Sequence, residues 1–289
     1  MKILVIDANC IAHLAKHSKK GLTYGEMETG VIFGFLEQIK ILANKFKTNK
    51  FIFCWDSKKS KRKELYPDYK RHRHKEKTEI EQIEDNIAFK QFYDLRTSIL
   101  PKLGFKNIYI QTGYEADDLI AATVKENCDS HNGEFDFIVV STDDDLLQLL
   151  DHCDIYNPKT KKLESIATFS EEYGITPNMW SGIKSITGCT SDNVKGIEGV
   201  GIIKAIAYVT KKLNKGKIYD RIINEGPTIS KRNAPLVHLP MIGTIIITPV
   251  ENEVFHILDF IDIFEKYGFK SFLKKESLGQ WKRLFNMES

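Results

Sequence analysis

Apolar residues fall in short, nearly unbroken runs separated by longer segments of helical period. "KILVID" (2–7), "KFIFCWD" (50–56), "KNIYIQ" (106–111) and "FDFIVV" (135–140) are rich in β-branched and aromatic residues. Such runs predict parallel strands buried on both faces. Between them, "TGVIFGFLEQIKILANKF" (29–46) and "DDLIAATVKEN" (117–127) repeat apolar residues three and four apart, as amphipathic helices do. "EIEQIEDNIAFKQFYDLRTSILPKL" (79–103) has the same period, and Ile80, Ile83, Ile87, Leu95 and Ile99 are predicted to share one buried face. Strands alternating with helices predict a doubly wound, mainly parallel α/β sheet.

Each of these strands runs into acid. The first ends at Asp7 and the second at Asp56. The third leads through a turn to Glu115, Asp117 and Asp118, and the fourth to Asp143, Asp144 and Asp145. One acid after a strand is ordinary, because Asp caps the helix that follows. Four parallel strands, however, deliver their acids to the same sheet edge, where doubly wound folds bind ligands. Carboxylates gathered there raise one another's pKa and need something positive to neutralise them. All-oxygen donors fit a hard divalent cation, Mg²⁺ with Mn²⁺ as a substitute. More acids than one ion requires predicts two ions about 4 Å apart, an arrangement suited to phosphodiester hydrolysis.

Composition narrows the setting. The 289 residues are 42% hydrophobic, enough for a packed core rather than a disordered chain. Cys10, Cys54, Cys128, Cys153 and Cys189 are odd in number and lack CxxC spacing. That argues for a reducing compartment and against a disulfide framework or a structural zinc site. The start lacks the pattern of a signal peptide, and no run approaches the ~20 apolar residues of a membrane span. The expectation is a cytoplasmic monomer with no membrane partner.

The net charge of +3 conceals a dense basic block, "DSKKSKRKELYPDYKRHRHKEK" (56–77). Arg62, Lys70, Arg71, Arg73 and Lys75 lie in it, with Tyr66 and Tyr69 interleaved and His72 and His74 close by. Basic residues follow a phosphate backbone and aromatics stack on unpaired bases, so the block is expected to contact nucleic acid. It starts at Asp56 and must hang beside the acidic edge.

Further on, "TPNMWSGIKSITGCTSDNVKGIEGVGIIKAIAYV" (176–209) predicts a helix from Pro177 to about Thr187, then a turn carrying Asp192. Gly196, Gly199 and Gly201 precede a second helix that contains Lys204. This is a helix–hairpin–helix pattern. Its glycines let backbone approach a phosphate, and the next helix supplies N–H donors, so it would hold DNA without reading its bases.

Together, "GYEADDL", "STDDDLLQLL", "EYGITPNMW", "TGCTSDN", "GIEGVG" and "YPDYKRHR" resemble, in order, the motifs of the 5′-nuclease (flap endonuclease) superfamily. That superfamily includes the 5′–3′ exonuclease domains of bacterial DNA polymerase I and stand-alone phage nucleases. The likeness runs from residue 1 to about 210. It implies a PIN-like α/β nuclease core at 1–165 with a helical arch at about 57–85. A helical DNA-binding region at 166–289 would carry the helix–hairpin–helix at about 177–210, packed on the core. It also implies that Asp7, Asp56, Glu115, Asp117, Asp118, Asp143, Asp145 and Asp192 hold two Mg²⁺ ions. Lys70 and Arg73 would position the scissile phosphate, and Tyr69 would stack on the base at the cut. Arg62, Arg71, Gly196, Gly199, Gly201 and Lys204 would hold DNA, with K⁺ at the hairpin. The implied substrates are branched, nicked or 5′-flap DNA and RNA/DNA primer junctions, cleaved during replication alongside replication proteins, in a bacterium or a phage-infected cell.

Two positions depart from the family pattern. Cys189 stands where most relatives carry Asp, which removes a hard ligand from the second ion. That ion would bind more weakly, through extra water or as Mn²⁺, unless Cys189 is an inert small residue and Asp192 suffices, the reading preferred here. Asp144 stands where a non-acidic residue is usual and is expected to face solvent. Trp55 and Trp180 are expected in the core, and His13, His17 and His238 are not expected to bind metal. Two rival readings are a flap-binding protein whose catalysis has weakened through Cys189, and a PIN-like ribonuclease. The helix–hairpin–helix and the chain length argue against the ribonuclease.

Overall fold

The computed structural model describes residues 1–73, 77–130 and 135–287. Alternation along the first strand shows why the sheet is covered on both sides. In β1 (Lys2–Asp7), Leu4 and Ile6 point into one core while Ile3 and Val5 point into another. β2 (Phe51–Trp55) divides in the same way, with Phe51, Phe53 and Trp55 on the first side and Ile52 and Cys54 on the second. Both strands are therefore apolar at nearly every position, as the sequence pattern required.

The sheet is completed by β3 (Ile108–Ile110), β4 (Asp136–Val140), β5 (Asp154–Tyr156) and the short β6 (Leu163–Glu164). Its order is β3-β2-β1-β4-β5-β6, parallel throughout except for the last pair. The direction of winding reverses between β1 and β4, so the crevice at their carboxyl ends is the switch point where such sheets bind ligands. Ile6 lies beside Val140 in that pair, and the acids that follow both strands open into the crevice.

Helices α1 (Ala8–Ser18) and α2 (Gly30–Phe46) cover one face. A short α3 (Lys61–Leu65) and a long α4 (Glu79–Asp94) flank the region after β2. α5 (Ala116–Ser130) covers the other face. Beyond the sheet, α6 (Trp180–Thr187) and α7 (Ile202–Val209) are joined by the glycine hairpin, and α8 (Lys217–Val237) packs against α6. Among the described residues, no helix is long and apolar enough to cross a membrane.

Two expectations change. β3 lies at the sheet edge and is only half-buried, with Ile110 exposed, so it is not an interior strand. Ile80 and Ile83 are 70% and 58% exposed, because α4 enters the core only from Ala88 on, through Ala88 and Phe92, followed by Leu95 and Ile99 in the turn after it. The tail packs on the core. α9 (Ile257–Lys266) and α10 (Lys275–Leu284) return to the face of α1 and α2, where Phe255, Phe260, Phe264, Trp281 and Phe285 join the core of β1 and β2. Phe285 meets Phe51 at 6.1 Å between ring centroids and Phe105 at 5.7 Å. Trp55 and Trp180 are buried as expected.

Candidate metal centre and nucleic-acid interface

Three of the acids at the switch point accept hydrogen bonds from backbone amides at helix starts. Asp7 caps α1, accepting from the Cys10 amide at 2.9 Å, and its other oxygen accepts from Ser141 Oγ at 2.8 Å. Asp56 accepts from the Ala116 amide at 2.7 Å, and so ties the end of β2 to the start of α5. Asp117 lies in the first turn of α5. Asp143 caps the 3₁₀ turn Asp144–Leu149, accepting from the Asp145 amide at 2.8 Å.

These carboxyls feel one another. Burial, and then Asp56, push Asp7 up to about 7. Burial raises Asp117 well above the carboxylate range, followed by Asp143 and Asp7. Asp56 is also raised, first by loss of hydration, then by Glu115, against the lowering effect of its Ala116 hydrogen bond. Three carboxyls held back from ionising, with the Asp143 carboxyl beside them, are all oxygen donors and form a set that a hard divalent cation fits.

A second group lies alongside. One ligand atom each from Asp145, Cys189 and Asp192 come within 4.8 Å of one another, and all three residues are buried. Burial and Asp143 push Asp145 up to about 6, while Lys184 Nζ forms an ion pair with it at 2.7 Å.

Between the two groups sit the residues after α3. Lys70 Nζ donates to Glu115 at 2.9 Å and lies 3.8 Å from Asp192. Arg73 Nη2 donates to Asp192 at 2.7 Å. Their cationic side chains neutralise the acids from within the protein. Lys70 has a φ of 55°, in the left-handed region that side chains rarely adopt, and its amide donates to the Asp192 carbonyl. That turn aims its ammonium inward.

Three expectations for individual residues are corrected. Tyr69 is 2% exposed, and its hydroxyl donates to Glu115 at 2.9 Å and lies 3.0 Å from Asp192. A ring so enclosed cannot stack on a base. Arg62 is equally buried and holds Asp118, so it makes no DNA contact. Asp118 in turn is occupied by Arg62 and by the Met241 amide, and it does not join the other acids. Gly196 also has a packing role, since a Cβ there would lie 2.0 Å from the Thr187 carbonyl oxygen.

The remaining DNA-binding candidates are exposed or at the hairpin. Arg71 reaches solvent and pairs with Asp68. Gly199 has a φ of 75°, Gly201 has open space where a Cβ would be, and Lys204 donates to the Gly199 carbonyl at 2.8 Å. Asp144 is exposed, as expected. His74 and Lys75 of the basic block lie outside the described residues.

Two features were missed in the sequence. Lys184 read as an ordinary helix lysine, and nothing local marks it as the partner of Asp145. A groove of about 510 Å³ beside Asp56 is lined by Lys58, Phe89, Lys90, Tyr93 and Arg96. Phe89 and Tyr93 are 46% and 59% exposed, and the Arg96 guanidinium lies 5.7 Å from the Tyr93 ring centre. The signal available was two aromatics four apart on a helix with basic neighbours.

Comparison with known proteins agrees with this geometry. Residues 2–174 match the family model described as the 5′–3′ exonuclease N-terminal, resolvase-like domain. The 5′–3′ exonuclease of Bacillus subtilis is 30% identical over 238 residues, covering 77% of this chain and 73% of the relative. That of Buchnera aphidicola from Schizaphis graminum is 28% identical, covering 81% and 79%. Among solved structures, the phage T5 D15 protein co-crystallised with metal ions superimposes with a TM-score of 0.70 at 22% identity, over 83% of this chain and 90% of that one. The catalytic core of Rad2 with DNA substrate gives 0.58 at 15% identity, over 99% and 92%. These structures share the fold. With more than half of its length matched by the family model, the chain belongs to the 5′–3′ exonuclease family.

Proposed function

We propose that the chain is a metal-dependent, structure-specific 5′ nuclease. It hydrolyses phosphodiesters where a 5′ single strand meets duplex DNA, as in the removal of flaps or RNA primers during replication. The observation that carries this reading is the convergence of Asp7, Asp56, Asp117 and Asp143 at the switch point, with Lys70 and Arg73 reaching in beside them.

Asp7, Asp56, Asp117 and Asp143, with Glu115 adjacent, would hold one Mg²⁺, and Asp145 and Asp192 would contribute to a second. When bound, such ions supply Lewis acidity toward phosphate oxygens. The chain's own residues do the rest. Lys70 and Arg73 exchange their acids for the scissile phosphate and orient it. The groove of Phe89 and Tyr93 takes unpaired bases, with Lys58, Lys90 and Arg96 near their phosphates. The Gly199–Gly201 hairpin holds duplex through its backbone. A K⁺ ion there would compete with Lys204 for the Gly199 carbonyl.

The test is cleavage of an end-labelled 5′-flap duplex across Mg²⁺ and Mn²⁺ concentrations, with a chelator control. Cutting near the junction that requires the ion supports the reading. No cutting by the native chain, with activity gained in Cys189→Asp, would instead make it a flap-binding protein.

A further inference from the structure

The sheet edge opposite the acids is cationic. Lys2 begins β1 and Lys50 precedes β2, so both lie at the amino ends of the strands. The six residues of β1 put about 20 Å between them and the acids. A cavity of about 520 Å³ there is lined by Lys2, Lys47, Lys50 and Arg283 and, among the described residues, by no acid. Thr48 fixes its wall, since its Oγ1 donates to the Lys2 carbonyl at 2.8 Å and accepts from the Lys50 amide at 3.1 Å. A second cavity of about 530 Å³ lies between α2 and α10, where Ile41, Phe272 and Leu284 supply an apolar wall beside Lys40. The two share Arg283 and Leu284, and so form one trough.

Its positive charge is not neutralised from within. Lys40 Nζ donates to Ser277 Oγ at 2.8 Å, Lys47 Nζ to Asn44 Oδ1 at 3.0 Å and Lys50 Nζ to the Glu251 carbonyl at 2.6 Å, all uncharged oxygens. Lys2 lies 3.6 Å from Asp136. Among the described residues, the one acid in either wall is Glu37, which Lys19 holds at 2.7 Å. Lys47 follows α2 and Arg283 lies in the last turn of α10, where a cation offsets the helix dipole. Lys2, Lys40 and Lys50 have no such role.

A field of this sign calls for carboxylates or phosphates, and the walls decide between them. Surfaces for unpaired nucleic acid offer open rings on which bases stack. Here Phe272 and Trp281 are buried, and the accessible apolar surface is aliphatic, with Ile41 49% exposed. An aliphatic strip beside a cationic basin is complementary to a chain of apolar and acidic side chains. We propose that this trough docks an acidic, aliphatic-rich segment of a partner protein. Its apolar side chains lie against Ile41 and Leu284, and its carboxylates on Lys2, Lys50 and Arg283. The inference does not depend on the proposed nuclease reading.

The experiment is fluorescence anisotropy of a fluorescein-labelled synthetic peptide, a run of aspartates followed by leucines, titrated with the full chain. The expected result is saturable binding of one peptide per chain that weakens steeply with added salt. Replacing the aspartates by asparagine, or the leucines by serine, should each weaken binding on the order of tenfold or more. Lys50→Glu with Arg283→Glu should do the same. Lys159→Glu with Lys161→Glu, an equal charge change at exposed positions outside both walls, should not. Circular dichroism checks each variant's fold. Should the trough reversal misfold, Ile41→Ser, at an exposed helix position, should still weaken binding. The proposal is overturned if the peptide does not bind, if either altered peptide binds equally well, or if the trough reversal leaves its affinity unchanged. Flap-duplex affinity in chelator should be untouched by that reversal. A loss there as large as the peptide's would make the trough a nucleic-acid surface instead. Peptide binding without flap cleavage would keep this inference and lose the nuclease reading.

Discussion

Arg62 grips Asp118 through two parallel hydrogen bonds, Nη1 to Oδ2 at 2.6 Å and Nη2 to Oδ1 at 2.8 Å, and neither side chain reaches solvent. Arg62 Nε also donates to the Leu236 carbonyl, and the Met241 amide donates to Asp118. One charge pair thus fastens α3, the start of α5 and the segment after α8. Removing one partner leaves the other charged and buried, which costs about 3–5 kcal/mol. Asp118→Ala should therefore lower the stability to urea by that amount. A variant with native stability but no metal affinity would return Asp118 to the ligand set.

The raised carboxyls set a pH dependence. The folded chain holds protons on Asp7 up to about 7 and on Asp145 up to about 6, where the unfolded chain has lost them. The folded state therefore binds more protons in that window, and metal-free stability should fall as pH rises from the ordinary carboxylate range through about 7. Divalent cations bind the ionised form and should reverse the trend. Asp117→Asn should raise the metal-free thermal midpoint above pH 7 while cutting cleavage on the order of 10²-fold or more. A midpoint that climbs with pH in the chelated native chain would contradict this account.

Tyr69→Phe tests the corrected role of that ring. It keeps the packing and removes only the hydroxyl shared by Glu115 and Asp192, so a stability loss of about 1–2 kcal/mol is expected. Affinity for flap DNA in the presence of chelator should be unchanged. A stacking residue would give the opposite pattern in the Tyr69→Ala and Tyr69→Phe pair, with binding following the ring and not the hydroxyl.

Phe89→Ala with Tyr93→Ala should weaken binding to duplexes bearing unpaired 5′ bases by about 1–3 kcal/mol per stacked base. Nicked duplex without a flap should bind as before. Equal losses on both substrates, measured by fluorescence anisotropy, would remove the groove from flap recognition.

The hairpin glycines separate packing from contact. Gly196→Ala drives a Cβ against the Thr187 carbonyl and should destabilise by a few kcal/mol, at about the level of other backbone clashes. Gly201→Ala meets open space and should fold normally. If the Gly201 backbone approaches phosphate, the same change should reduce duplex affinity. Native affinity would place the phosphate elsewhere.

The sheet and its acids were legible because burial on both faces leaves a continuous apolar run, and because each run stops at the same edge. β1, β2 and β4 show this in their letters alone. β3 misled because three apolar residues at a sheet edge read like three in the middle. Arg62 and Tyr69 misled for a different reason. Both lie in a run of charge that reads as solvated, and only a partner far along the chain, Asp118 for one and Asp192 for the other, turns them inward. The Ile80 and Ile83 stripe had the right period, but period gives a face and not what covers it. Lys184 has no local signature because its partner, Asp145, lies far earlier in the chain, before β5 and β6.

Residues 255–285 close the core built on β1 and β2, with Phe255 at 5.0 Å and Phe285 at 5.7 Å from the Phe105 ring. The first strands synthesised therefore wait for some of the last residues before their aromatic face is sealed. On the ribosome, Phe51, Phe53 and Phe105 spend most of translation uncovered, a period in which exposed apolar surface invites chaperones or aggregation. A nascent chain arrested before residue 255 should be open to protease along β2 and silent in near-ultraviolet dichroism, although every proposed metal ligand has already been made.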